Sequence, residues 1–294
     1  MMKGFTRTEI KTSGARIVTV HGGKGPPVLL MHGNPFTHLS WHKFAPKLAQ
    51  EFTVVATDLR GYGDSEKVPG GKNHENYSFR AMAQDQVEVM AALGFKTFMA
   101  AGHDRGARVL HRMCLDHPQV VERAAIMDIV PQHHLFNNIT QAWVTYAYHW
   151  FFMIQPEPMP EKLMSADPDF FINFKLSKTP QGLNFFGKEA LNEYRRCFRN
   201  PQTVHAMCED YRATATVDLA MDTEDFAAGK RITCPSLILW GANGSVGRHQ
   251  RPAEIWPRYA TDIRGAKALP CGHYLSEEAP EETYQALREF FLAK

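Results

Sequence analysis

The chain has 294 residues with 33 basic and 31 acidic side chains, a near balance that argues against a nucleic-acid footprint or an acidic tail. Its five cysteines are odd in number, scattered and without C-x-x-C spacing, so reduced thiols are expected, with neither a disulfide frame nor a zinc site. No apolar run approaches the roughly 18 residues of a membrane span, and residues 1–11 hold no apolar signal core, so a cytoplasmic protein with no membrane or nucleic-acid partner is expected.

In chain order, residues 6–21 alternate loosely and predict an opening pair of antiparallel strands. Gly22-Gly23-Lys24-Gly25-Pro26-Pro27 is a turn; it lacks the G-x-x-x-x-G-K-[ST] spacing of a phosphate-binding loop, and no cofactor is expected. Val28-Leu29-Leu30-Met31 predicts a fully buried strand ending in His32-Gly33-Asn34-Pro35. A helix over 41–50, a strand over 52–57, the Gly61-Tyr62-Gly63-Asp64-Ser65 turn and a helix over 78–93 follow. Residues 98–101 form a short apolar run, and from Arg105 to His117 the apolar positions return at helical spacing. A further strand covers 124–128. Strands alternating with helices predict a mostly parallel α/β sheet with right-handed crossovers. From about 130 to 216 the alternation stops, and aromatic, helix-like segments are separated by breaks such as Gln155-Pro156-Glu157-Pro158. This composition predicts a helical cap (130–216) inserted into a core formed by 1–129 and 217–294. Strands near 235–240 and 266–269 and a helix over 281–292 complete the core.

The chemistry centres on Gly102-His103-Asp104-Arg105-Gly106. Strand, tight turn and helix, with glycine two residues before and two after Asp104, is the layout of a nucleophile elbow. A carboxylate held there attacks carbon and becomes an ester, which suits displacement at an alkyl halide or epoxide. The same position would also suit an Asp that caps the following helix. An ester must later be cleaved by water, which calls for a base and an acid to orient it. Among fourteen histidines, His273 is singled out by its place just past the last strand. Gly244 stands where an acid after Trp240-Gly241 would be, so Asp128, between apolar Met127 and Ile129, is the expected partner. Backbone N–H groups of Asn34 and Arg105 are the expected oxyanion donors. No histidine spacing suggests a metal.

These residues resemble the haloacetate (fluoroacetate) dehalogenases of the α/β-hydrolase superfamily. The likeness runs from Asp58-Leu59-Arg60-Gly61-Tyr62-Gly63 through the Asp104-Arg105-Gly106-Ala107-Arg108 elbow, His149-Trp150 and Asp167-Pro168-Asp169-Phe170-Phe171 to Cys208-Glu209-Asp210-Tyr211-Arg212. It implies an α/β-hydrolase fold with a cap, and a homodimer acting on a small haloacid. It also implies that Asp104 displaces halide, that His273 with Asp128 activates water, that Arg105 and Arg108 hold the substrate carboxylate, and that His149, Trp150 and Tyr211 bind the halide. A guanidinium fork matches a carboxylate, and donors that converge on one point suit a growing halide charge.

Two positions depart from the family. Asn34 stands where a Phe is usual, in the His-Gly-Asn-Pro form found in haloalkane dehalogenases, although those carry Trp where this chain has Arg105. Thr179 lies where relatives commonly place a pocket-narrowing Trp, so strict selectivity for fluoride is not expected. Epoxide hydrolysis or haloalkane dehalogenation on the same Asp-His-Asp core is the alternative activity, the former with Tyr146, Tyr148 and Tyr211 as candidate proton donors. An Arg105 left unpaired against a neutral substrate argues against it. A third reading, a hydrolase-fold binding protein without turnover, is opposed by the intact Asp104, Asp128 and His273.

Overall fold

The computed structural model describes residues 2–179 and 181–293. Eight strands form one sheet in the order β1-β2-β4-β3-β5-β6-β7-β8. They are β1 (Thr6–Lys11), β2 (Arg16–Gly22), β3 (Pro27–Met31), β4 (Thr53–Thr57), β5 (Phe98–His103), β6 (Val121–Met127), β7 (Ser236–Gly241) and β8 (Ile263–Leu269). β2 pairs antiparallel with both β1 and β4, and the pairs from β4 across to β8 are all parallel. β2, second from the edge, is thus the one strand that runs against the rest, and its antiparallel pairing with β1 is the one the alternating opening segment predicts.

The parallel strands are continuous apolar runs because both faces are covered. Successive side chains go to opposite faces. Leu29 and Met31 of β3 and Phe98 and Ala100 of β5 join the core beneath α2 (Phe79–Ala92) and α3 (Arg105–Asp116). Val28, Leu30, Met99 and Ala101 join a second core with Trp41, Phe44, α1 (Ala45–Leu48), Leu287 and Phe291. Ser78 caps α2 by accepting from the Ala81 amide, as a serine before an apolar run should.

Between β6 and β7 the described residues contain helices and no sheet strand. These are α4 (Gln132–Asn137), α5 (Gln141–Tyr146), α6 (Tyr148–Met153), α7 (Met159–Ala166), α8 (Pro168–Leu176), α9 (Lys188–Phe198), α10 (Pro201–Ala213) and α11 (Leu219–Ala227). A π turn over Thr214–Asp218 joins α10 to α11, so the helical run continues past residue 216 to Ala227. The aromatic stretch 140–152 folds as two short helices, broken at Ala147. After β7 come α12 (Ser245–His249) and α13 (Pro252–Ile255), and after β8 come α14 (Leu275–Glu278) and α15 (Pro280–Leu292). Among the described residues, no helix is long and apolar enough to cross a membrane.

Candidate active site

The turn between β5 and α3 puts Asp104 at φ 51° and ψ −113°, a conformation that costs a non-glycine residue energy and is held by its surroundings. Two glycines make that holding possible. A Cβ on Gly102 would lie 2.3 Å from the Gly106 carbonyl oxygen, and one on Gly106 would lie 2.2 Å from the Met31 oxygen. The Asp104 side chain makes no capping bond to α3, so the helix-cap alternative falls away. Its Oδ1 accepts the Asn34 backbone amide at 2.9 Å, and its Oδ2 lies 3.7 Å from His273 Nε2. Burial alone would raise the Asp104 pKa. The charges of His273, His103 and Arg105, with the Asn34 amide, carry it down to about 2 instead.

Asp128, at the end of β6, is 2% exposed and answers the cost of its burial with two bonds. Oδ1 accepts the Gly241 amide at 2.8 Å, and Oδ2 meets His273 Nδ1 at 2.5 Å. The imidazole therefore presents Nε2 toward Asp104. Burial disfavours its protonation, but the bond to Asp128 and the charges of Asp128 and Asp104 raise its pKa above the ordinary value. His103 holds the same loop from behind. It is buried, kept neutral with a pKa near 4 chiefly by desolvation, and its Nε2 donates to the His273 carbonyl at 2.7 Å.

The two arginines part company. Arg108 lines the cavity with Asp104, Asp128 and His273, and among the described residues it pairs with no carboxylate. Its one hydrogen bond goes from Nη1 to the Val130 carbonyl at 3.3 Å, and Nε has no partner. Burial, followed by the charge of Arg105, lowers its pKa to about 10. Arg105 does not line that cavity, contrary to the sequence expectation that it faces the pocket. Its side chain is fully buried behind the wall, where Nε donates to Asp210 Oδ2 at 2.9 Å and Nη2 bonds Asp210 Oδ1 and Thr214 Oγ1. A buried guanidinium needs a counter-charge, and α10 supplies one. Only Nη1 of Arg105 is left without a partner. The charge awaiting an anion is therefore on Arg108.

His149 and Trp150 on α6 and Tyr211 on α10 meet around one point, with ring centroids 5.4 Å apart for Trp150–Tyr211 and 5.8 Å for His149–Tyr211. All three line the cavity, and His149 Nδ1 is a buried donor or acceptor without a partner. The Arg108 guanidinium carbon sits 4.8 Å from the centroid of the Trp150 ring, a cation–π contact that fixes both. The cavity leaves about 70 Å³ for the centres of water-sized groups, so it suits a ligand of a few heavy atoms. A larger recess of about 490 Å³ on the same measure adjoins it at Tyr146 and Lys178, and Thr179 and Arg248 are on its wall. Among the described residues no group of three metal-ligating side chains converges.

Sequence reasoning missed Lys175. This residue of α8 is 6% exposed, lines the cavity and donates from Nζ to Asn34 Oδ1 at 2.6 Å. The bond turns the Asn34 amide so that its Nδ2 donates to Tyr62 Oη at 3.2 Å, and Tyr62 in turn bonds Asp210 at 2.5 Å. A chain of hydrogen bonds thus runs Lys175–Asn34–Tyr62–Asp210–Arg105, crossing three times between cap and core.

A family model described as alpha/beta hydrolase fold matches residues 26–280. The chain is 42% identical over 291 residues to a fluoroacetate dehalogenase of Burkholderia sp., covering 99% of this chain and 95% of that protein. It is 31% identical to a soluble epoxide hydrolase of Corynebacterium sp. strain C12, covering 99% of each. A crystal structure of an α/β hydrolase from Nostoc sp. PCC 7120 superposes with a TM-score of 0.95 at 49% identity, over the whole of both chains.

Proposed function

The chain belongs to the α/β-hydrolase fold family, as a relative of the haloacetate dehalogenases, and on that premise we propose that it hydrolyses small 2-haloacids to hydroxyacid and halide through an ester on Asp104. The observation that carries this reading is Arg108: a buried guanidinium without a carboxylate, in the wall of the cavity that holds a charged nucleophile. The cavity is lined by Arg108, Lys175 and Lys178 against the carboxylates of Asp104 and Asp128, an excess of cation that favours an anionic ligand.

The chemistry follows from which atoms are occupied. Asp104 Oδ1 is held by the Asn34 amide, so Oδ2 is the oxygen that attacks the carbon bearing halogen, and the carbon–halogen bond breaks with its electron pair on the halide. Trp150, His149 and Tyr211 can donate to the departing ion as its charge grows. Oδ1 then becomes the ester carbonyl oxygen. His273 Nε2 takes a proton from water, the hydroxide adds to the Asp104 carboxyl carbon, and the developing oxyanion is met by the same Asn34 N–H with the amide of Arg105 at the start of α3. Collapse expels the alkoxide, which takes the proton back from His273 to leave as the hydroxyacid, and the water oxygen remains in Asp104.

Epoxide hydrolysis is the second reading, because the pairing of Arg105 with Asp210 removes the objection drawn from an unpaired Arg105, and Tyr146 and Tyr211 line the cavity. The unpaired charge on Arg108 keeps it second. Fluoroacetate, chloroacetate and a neutral epoxide assayed side by side separate the two: halide release with little epoxide turnover is expected, and the reverse would overturn the proposal. We also propose a homodimer. Phe170 and Phe174 stack on α8 at 66% and 53% exposure, an apolar patch that a second copy would cover. Light scattering should give twice the chain mass, and Phe170→Glu with Phe174→Glu should halve it.

A further inference from the structure

Lys175 has no part in the chemistry just described, yet it is a buried cation in the wall of the reaction cavity. An ammonium has three N–H donors. One goes to Asn34 Oδ1, and among the described residues Nζ makes no other hydrogen bond and no ion pair. Two donors are therefore left for whatever occupies the cavity. A cation taken out of water at this cost calls for an anion at least part of the time. The nearest resident carboxylate, Asp104, is already served by Asn34 and spends its charge in the first chemical step.

Placement says which anion. Lys175 shares the cavity wall with His149, and after burial its charge is the largest influence that keeps His149 neutral. A neutral His149 cannot supply a positive charge to a leaving halide, and Trp150 and Tyr211 are neutral donors also. Arg108, the other buried cation of the wall, is taken by the substrate carboxylate under the proposed function. We propose that Lys175 is a catalytic residue on the leaving-group side: its ammonium, oriented by Asn34, donates a hydrogen bond to the halide as the carbon–halogen bond breaks. The Asp104 oxygen–carbon bond forms, the halide leaves with the bonding pair, and the proton stays on Lys175. The inference rests on the dehalogenase reading and extends it by one residue.

Asn34 is the second half of the device. With Nδ2 committed to Tyr62, its side chain offers the cavity a carbonyl oxygen, which holds the ammonium rather than touching an anion directly.

The ionisation of Lys175 gives an independent signature. Burial, opposed by Asp104 and reinforced by Lys178 and Arg105, brings its pKa down to about 7. Around it, Asp104 stays ionised, Arg105 stays charged and His149 stays neutral through the working range. His273 belongs to the later step, and Lys178, at about 8 by desolvation, needs its own control.

The test is single-turnover kinetics with fluoroacetate, chloroacetate and bromoacetate, following halide release and ester hydrolysis separately. Lys175→Met should slow halide loss from fluoroacetate by roughly 100-fold, the scale of a lost charge-stabilising donor. Bromide loss should be slowed much less and hydrolysis of the ester left unchanged. In the native protein the rate of halide loss should fall as pH rises through neutrality. That limb should vanish in Lys175→Met and persist in Lys178→Met. Equal slowing of both steps, or of all three halides, would overturn the proposal and make Lys175 a packing residue. Quenching of Trp150 fluorescence by bromide needs no turnover and covers the remaining case. If the native protein releases no halide from any haloacid, the dehalogenase reading fails. Bromide affinity unchanged in Lys175→Met would then overturn the anion-binding role of Lys175 as well, and a tenfold loss would support it.

Discussion

Under the proposed function Asp104 would meet its substrate already ionised, because its neighbours outweigh burial and hold its pKa near 2. The attacking group therefore sets no acid limit above that value. His273 does, since it must be neutral to take a proton from water and its pKa is raised above the ordinary value. As pH falls through that raised value, ester hydrolysis should fail while ester formation continues, so steady-state assays at acid pH should show a burst of one halide per site. His273→Asn should do the same at every pH and stall with a mass increment on the Asp104 peptide. In a single turnover in heavy-oxygen water the label should appear in Asp104; label found first in the product would mean direct attack by water. Arg108→Lys keeps charge but loses the fork, so kcat/KM for chloroacetate should drop by roughly 10–100-fold, and haloacetamides should be poor substrates for the native protein. A haloacetamide used as well as its acid would end the assignment of Arg108.

Asp104, Asp128 and His273 were legible because their positions at strand ends follow from the element order alone. Lys175 was not. It closes the run Phe170-Phe171-Ile172-Asn173-Phe174, which reads as cap core with a lysine reaching water, and what holds it is Asn34, 141 residues earlier. The same distance problem hid the partner of Arg105, because nothing near the elbow in sequence says that Asp210 faces it across the cap boundary.

At the scale of elements, apolar alternation and turn chemistry located every strand of the sheet within a few residues, since a parallel sheet buried on both faces leaves little freedom in what it can contain. The cap was legible only as a helical region. Its short helices are held by aromatic contacts between segments, Trp143 with Trp150 at 5.7 Å and Phe136 with Trp150 at 6.0 Å, and such packing overrides any periodicity in the sequence. Trp150 thus has two possible duties, and the halide series separates them. Trp150→Phe keeps the ring packing and removes the N–H, so loss of fluoride should suffer about tenfold more than loss of bromide. Equal damage to both would assign the indole to packing. Thr179 is on the wall of the outer recess just after α8, where the family resemblance leads to the expectation of a pocket-narrowing Trp. Thr179→Trp should raise the ratio of fluoroacetate to bromoacetate turnover by narrowing the way in.

Across the whole molecule, cap and core are joined by charge as well as by apolar packing. Arg105 of α3 pairs with Asp210 of α10, and Arg112 of α3 bonds Asp222 at 2.6 Å and Asp225 at 2.5 Å on α11. Asp210→Asn leaves Arg105 buried without its counter-charge, and the loss of stability should be about 3–5 kcal/mol. Denaturant unfolding measures it directly, and a change under 1 kcal/mol would show that water or a bound anion already neutralises Arg105.

The chain of bonds from Lys175 through Asn34, Tyr62 and Asp210 to Arg105 stitches the roof of the reaction chamber to its floor at two places. The reaction cavity and the larger outer recess share Tyr146 and Lys178 in their walls, so the recess is the approach a small substrate would take under the proposed function. Under the proposed function, an ester on Asp104 would lie in a cavity with room for only a few heavy atoms, which admits water more readily than bulky thiols or amines. An alkylated carboxylate is a reactive species in a cell full of nucleophiles. In this cavity its fate would be restricted to hydrolysis by the size of what can reach it.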